Sequence, residues 1–311
     1  MARRRIGQEQ LRFDPPQSHQ SGSLDEIAAL IDWAEIDRHL TAIYASAMGE
    51  QGWPPLALFK ALLLSVWYDL SDVKLAEALE DRASFRRFCG FAADEPTPER
   101  TAFVRFRREL VARSLDRVLF EVVTKQLDAR GVVVRTGTLI DASVIASASL
   151  KDEQARWAGH HHRKPVHGYK AHIATDEEGD IIRCVEVTTA NVHDGTVLEA
   201  VLPVEPGDVY GDSAYAARRF TDVILARGGR PHVVQTGTWG GEAALQRLQA
   251  WNAEVRRVRC RIEKVFGTWK RSYGLRRMRW LGLAKAGLQV RLTAVAYNLR
   301  RSVRILRIRE A

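Results

Sequence analysis

The chain is poor in the residues that staple small domains or bind soft metals. Three cysteines, Cys89, Cys184 and Cys260, lie far apart, with no Cys-x-x-Cys pair. That spacing excludes a disulfide framework and a structural zinc site, and it fits a reducing cytoplasm. A secretory leader is not expected either, because no apolar segment follows the basic MARRR start. The longest apolar run, "PPLALFKALLLSVWY", is broken by Lys60 and is too short to span a bilayer. No internal repeat and no low-complexity block is present. The expectation is therefore a cytoplasmic protein, nucleoid-associated if its partner is DNA, with no membrane partner.

Acidic residues are scarce in one place in particular. From Arg256 to Ala311 there are 17 Arg and Lys against two acids, Glu263 and Glu310, a local net charge of +15. The whole of the 311-residue chain carries +9, so the first 255 residues sum to −6. Most of the clustered cations are arginine, whose planar fork grips phosphate at two points. A one-sided bias of this kind points to a polyanion.

The length allows two domains with real cores. Residues 1–22 are polar, contain Pro15 and Pro16, and read as a flexible arm. Residues 23–130 read as all-helical. Ser23 and Glu26 form a capping box before "LDEIAALIDW". The segment from Pro54 to Leu70 is apolar nearly all round, as a buried central helix would be. Ser71 caps a helix through about Leu79, and a short basic helix ends near Gly90. Thr97 and Pro98 open a helix that continues to about Ala129.

The texture changes at Gly131. "GVVVRTGTLIDASVIAS" ends in a buried strand over Thr138 to Ser143. "HGYKAHIATDEEGDIIRCVEVTTANVHD" reads as a hairpin about the turn Asp176–Asp180. A short helix capped by Asp194 follows, then the strand "GDVYGDSAY", a helix with a Gly C-cap, and a fifth strand in "RPHVVQTG". A long helix from about Gly241 to Ser272 and a last amphipathic helix complete residues 131–311.

Two acids have the same local grammar: Asp141 in "GTLIDAS" and Asp212 in "DVYGDSAY" each follow an apolar strand. A charge there is costly unless it is paired or coordinates a metal. The third acid, Glu263, sits in "RCRIEKVFGTWK". On a helix, Arg256, Arg259, Glu263, Gly267 and Lys270 fall within about 80° of arc, and the apolar stripe of Val258, Ile262, Val265 and Trp269 is centred about 140° away. An Arg259–Glu263 pair would contribute only a few tenths of a kcal/mol, so stability is a weak reason for it. Glu263 points away from the apolar stripe and must reach the strands along the sheet edge, unless the stripe packs on the N-terminal helices instead.

"LIDAS", "YGDSAY" and "RCRIEKVFGTWK" resemble the three acidic motifs of bacterial insertion-sequence DDE transposases, of the insertion-sequence four/five superfamily and its five branch. The third motif there is Tyr-x2-Arg-x3-Glu-x6-Lys. Arg259, Glu263 and Lys270 match it, while Arg256 stands at the tyrosine position. "ANVHD" and the helical stretch from Pro54 to Phe91 also resemble this branch. The likeness implies an α/β, RNase H-like mixed five-stranded sheet with flanking helices, preceded by an all-helical N-terminal DNA-binding domain.

It also implies that Asp141, Asp212 and Glu263 are catalytic and hold two Mg²⁺, with Mn²⁺ able to substitute. Arg256, Arg259, Lys270, Arg271 and Lys170 are the candidate DNA contacts. The partners would be double-stranded DNA, at transposon ends and target, and a homodimer or higher oligomer in the synaptic complex. A metal-dependent nuclease without strand transfer and a domesticated DNA-binding protein are the alternatives. His160–His162 read as an exposed loop or a phosphate contact. Trp239 reads as a loop anchor or a base-stacking probe. Arg86–Arg87 and Arg105–Arg108 lie on helices that either read inverted repeats or only pack on the core.

Overall fold

A computed structural model describes residues 22–43, 52–160, 163–237 and 240–310. The expected arm, His161, His162 and Trp239 lie outside these described residues. The helical half comprises α1 (Ser23–Leu30), α2 (Trp33–Leu40), α3 (Pro55–Trp67), α4 (Asp72–Asp81), α5 (Ala83–Cys89), α6 (Arg100–Ala112) and α7 (Leu115–Ala129). The strands are β1 (Gly137–Ala146), β2 (Arg156–His160), β3 (Arg163–Asp176), β4 (Ile182–Thr189), β5 (Asp208–Gly211) and β6 (Arg230–Val233). Helices α8 (Leu198–Val201) and α9 (Arg218–Ala226) lie between the later strands, and α10 (Gly241–Ser272) and α11 (Leu283–Glu310) follow them.

Several local expectations shift. Gly22, not Ser23, is the N-cap of α1, and Asp25 Oδ2 accepts from the Gly22 N–H at 3.1 Å. Ser71 does cap α4, accepting from Lys74 N–H at 3.3 Å. Helix α6 begins at Arg100 after Glu99, past Thr97 and Pro98, and the helix read through to Ala129 is broken at Ser114, whose φ of 53° is left-handed. His193, rather than Asp194, caps the turn that leads into α8.

The sheet is mixed, in the order β2-β3-β1-β5-β6 with β4 also on β3. Strands β1 and β3 pair antiparallel, while β1–β5 and β5–β6 are parallel. This is the RNase H-like arrangement of five strands with one addition, β2. Residues around "RWAGH" form that sixth strand where a loop was expected. The reason is the length of β3, which runs past β1 and offers His167 and Val166 to Trp157 and Ala158.

Each face of the sheet has its own core. Ile140, Val209, Tyr215, Phe220, Ile224 and Val233 cluster on the side of α8 and α9. Leu139, Ile145, Ala171 and Ile173 face the other way, into a core shared with α10, α11 and the N-terminal helices. Helix α11 is the hub of that core. It is buried almost continuously from Ala286 to Leu299, so the expected amphipathic pattern is replaced by burial on nearly every side. Helices α3 and α7 cover it from one direction and β4 from another.

Full burial obliges α11 to satisfy its polar groups internally. Asn298 brackets Ile182, accepting its N–H at 2.9 Å and donating to its C=O at 2.8 Å. The Trp67 indole donates to Ala296 O at 2.8 Å. Arg291, 6% exposed, pairs with Asp116 of α7 at 2.7 Å and with Glu186 of β4 at 3.2 Å. One side chain thus joins the helical half to the sheet. Asp180, in the β3–β4 turn, similarly ties α10 through Arg261 at 3.2 Å to α11 through Arg301 at 3.0 Å.

Replacing Arg291 with Met leaves the buried Asp116 carboxylate without its cation. The expected loss is about 3–5 kcal/mol of stability, read as a lower urea midpoint at unchanged slope. A loss under about 1 kcal/mol would mean that water already shields the pair.

Candidate active site

The β-strand period places alternate residues on one face. On β1, Leu139 and Ile145 point toward the α10–α11 side, so Asp141 does too. On β5, Tyr210 packs on that same core while Val209 packs on the opposite one, and Asp212 shares the parity of Tyr210. The parallel register pairs Leu139 with Tyr210. Asp141 and Asp212 each lie two residues further on, so the two acids are neighbours on one face, Asp141 midway along β1 and Asp212 just past the end of β5.

Helix α10 supplies the lid over them. A third of the way along it is pinned to β6 and the residues just after: Trp251 donates to Val233 O at 3.0 Å, and the Asn252 amide pairs with Gln235 N–H and C=O, both at 2.9 Å. The His232 ring stacks between Tyr210 and Trp251, with ring centres 4.9 and 5.3 Å away. Further along, Ile262, Val265, Phe266 and Trp269 are buried in the shared core. These anchors fix the rotation of the helix and aim Arg259 at β1. Arg259 donates to Asp141 at 3.1 Å with one Nη and to Glu263 at 3.1 Å with the other.

The question of how Glu263 reaches the strands is thereby answered. Glu263 itself stays 59% exposed and meets Asp141 through the guanidinium of Arg259. Among the described residues, no three His, Cys, Asp or Glu side chains stand in an arrangement that would hold a metal ion as they are.

Burial pushes the Asp141 carboxyl up to about 6, against the pull of Arg259 and the Ala142 N–H, and Asp212 and Asp194 add to the rise. Burial likewise raises Asp212, opposed by the Ala214 N–H at 2.9 Å. Tyr215 lies against the same carboxylates. Burial, and then Asp194, Asp141 and Asp212, hold its phenol firmly protonated, and its buried Oη has no hydrogen-bond partner. The buried Nε of Arg259 is also without one. Two desolvated carboxylates lie here with one guanidinium, bonded to Asp141 and not to Asp212, and with uncommitted polar atoms beside them. Such an all-oxygen set suits a hard divalent cation, whose charge would offset the cost of burial. Asp141 and Asp212 have the donor chemistry for such an ion, while Glu263, exposed and bonded to Arg259, does not stand with them.

A fourth carboxylate borders the group. Asp194 accepts from Lys170 at 2.7 Å, and Lys170 also donates to Val192 O at 2.7 Å. Gly195 lets this turn lie on Phe220, because a Cβ there would meet the ring at 2.2 Å. Of the other expected contacts, Arg256 and Arg271 are exposed on α10, and Arg271 Nε donates to Gly267 O at 3.3 Å. Lys270 is half-buried near the end of the same helix. Arg86 is spent inside the fold on the carbonyls of Leu79, Ala92 and Glu95, and Arg87 pairs with Asp25. Sequence reasoning missed Tyr215, although its place three residues after Asp212 was a usable signal.

The mixed sheet with its flanking helices, carrying paired acids beneath a basic helix, is of the RNase H-like class. Residues 134–299 match the family described as Transposase DDE domain, and residues 9–109 match Transposase domain (DUF772). The first match covers more than half of the chain, which therefore belongs to the DDE transposase family. No solved structure matches it. Membership implies an enzyme of the transposase or nuclease class, a DNA substrate and a divalent metal. No described helix is long and apolar enough to cross a membrane.

His172, wholly buried behind Asp194, gives the region a pH signature. Its Nε2 lies 2.9 Å from Thr188 Oγ1, and its Nδ1 is 3.9 Å from Asp194. Burial pushes the imidazole down to about 4, with Asp194 opposing the shift. The unfolded chain takes up that proton near pH 6.5. The stability that the neutral ring contributes, up to about 3 kcal/mol, is therefore complete above pH 6.5 and lost as pH falls toward 4. Melting curves of His172→Gln should show a shallower loss over that window than the parent. Parallel curves would mean that His172 does not titrate there.

Proposed function

We propose that the protein is the transposase of an insertion sequence. It binds the element's terminal inverted repeats, nicks the ends by phosphodiester hydrolysis and joins the freed 3′ ends to target DNA. The observation that carries this reading is the Arg259 fork. It draws together Asp141 and Glu263, which are 122 residues apart in the chain, beside Asp212. The Arg-x3-Glu-x6-Lys spacing of α10 supports placing it in the five branch.

In this reading Asp141, Asp212 and Glu263 are catalytic. When bound, two Mg²⁺, or Mn²⁺ in their place, activate the attacking oxygen and neutralise charge on the leaving one. Strands β1 and β5 set the two aspartates in fixed positions, so no ordering cost arises at the moment of reaction. Arg259 turns its fork from the carboxylates to a DNA phosphate, releasing Glu263 to join the aspartates. Arg256, Lys270 and Arg271 extend the phosphate track along α10. Lys170 reaches DNA by leaving Asp194. Tyr215 stays protonated near the aspartates.

Residues 23–130 form the part that recognises the repeats, and residues 131–311 form the catalytic part. Synapsis of two ends requires at least two protomers. The site of action is the nucleoid.

Asp141→Asn, Asp212→Asn and Glu263→Gln should each cut cleavage of the element's ends by more than about 10³-fold while leaving end binding intact. Normal cleavage by any of them would remove that carboxylate from the mechanism. Incubating pre-cut ends with a target plasmid separates transposition from simple hydrolysis, since only a transposase joins the two.

A further inference from the structure

Away from the carboxylates, a groove of about 700 Å³ opens between the helical half and the link from α10 to α11. One wall is α6 with Val73 of α4. The other wall is Trp280 and Lys285. The groove is thus shared by the two segments that match the family, one from each side.

The cations of the groove fall into two groups. Arg107 and Arg279 are committed to the fold. Arg107 forks onto Asp72 at 2.8 and 2.6 Å and covers the Trp280 ring at 4.3 Å. Arg279 donates to Leu70 O at 2.6 Å and pairs with Asp69. These bonds neutralise both acids of the groove and fix its two walls relative to each other. Arg100, Arg105, Arg108 and Lys285 are exposed, and none of the four forms an ion pair among the described residues. Their charge is left for a ligand.

The spacing says what kind. Arg100, Val104, Arg105 and Arg108 share one face of α6, and the span from Arg100 to Arg108 is about 12 Å of helix. Val104, 45% exposed, sits among the three arginines, and Val73 beside it on α4 is 50% exposed. A rigid helix carrying arginine forks around an apolar side chain matches the major groove of duplex DNA. That groove is about 12 Å wide, admits an α-helix, and presents guanine acceptors and thymine methyl groups. An acidic polypeptide would need the charge but not the fixed helical spacing.

We infer that α6 enters the major groove of double-stranded DNA at this site, with Arg100, Arg105 and Arg108 on bases and phosphates and Lys285 holding the backbone from the opposite wall. The inference rests on the proposed function for its ligand class and adds the surface that binds it. It also makes recognition the work of both halves: α6 supplies the reading helix, and the first turn of α11 supplies the clamp.

The test uses the full chain and a fluorescent 40-bp duplex of random sequence, titrated by anisotropy over a range of salt. The triple variant Arg100→Ala/Arg105→Ala/Arg108→Ala should bind at least about 100-fold more weakly than the parent. The slope of log K against log salt should flatten by about 2–3, about one for each lost phosphate contact. Lys285→Ala should flatten it by about 1. The triple Arg→Lys variant should keep the parent slope. Arg38→Ala/Lys125→Ala, outside the groove, should change nothing, and melting temperatures should show that every variant folds.

A triple alanine variant that binds duplex with the parent affinity and slope would overturn the inference. So would groove-dependent binding of poly-glutamate in preference to duplex. Asp141→Asn, assayed alongside, keeps the two readings separable. If it still cuts DNA, the catalytic assignment fails and the groove stands. If it is inert while the triple alanine variant binds normally, the groove fails and the catalytic assignment stands.

Discussion

The acidic face of the sheet depends on one guanidinium. Arg259 offers the nearest countercharge to Asp141, a carboxylate driven toward its neutral form by burial, and the same fork reaches Glu263. Its direction is set far from its own atoms. Trp251 and Asn252 pin the first half of α10 to the end of β6, and Trp269 and Phe266 seat its far half in the core. A helix held on both sides of Arg259 cannot rotate there, so the arginine between the anchors keeps its aim. The surface pair Arg259–Glu263 contributes little to stability taken alone. Its consequence is positional, because it leashes an exposed acid to a buried one.

A second constraint is the burial of α11. A helix with neighbours on almost every side has no face on which to leave a polar group unmet. Asn298, Arg291 and the Ala296 carbonyl each meet a partner from a different element. As a result the all-helical half and the sheet do not have separate cores on the α11 side. Their junction is internal and apolar, unlike the polar interfaces across which domains move independently. The basic groove lies on the same seam, and its walls are held by Arg107 and Arg279.

Much of this was legible in the sequence for identifiable reasons. Asp141 and Asp212 stand out because a charge at the end of an apolar strand is costly, and the register of two parallel strands makes them neighbours. Glu263 stands out because it is an acid among cations at helical spacing. The length of α10 follows from its composition. The misreadings have physical causes too. Strand β2 is short and polar and gains its partner only from the overhang of β3, which no local pattern reveals. The tail looked amphipathic because Arg291 and Arg301 interrupt its apolar run. Both are in fact paired, with Asp116 and Glu186 and with Asp180. The cap of α1 moved by one residue because Asp25 reached Gly22 first. Arg86, left open between a DNA contact and packing, closes the end of its own helix and the loop beyond.

The placement of α11 also bears on how the chain matures. The apolar faces of α3 and α7 wait for a helix encoded about 150 residues after α7. At typical synthesis rates that interval is of the order of 10–30 seconds. During it the apolar faces of the nascent helices are left open to solvent, and the sheet lacks its cover. Helix α11 is a keystone that arrives late, and the polypeptide has neither a finished interior nor a finished working face until it drops into place.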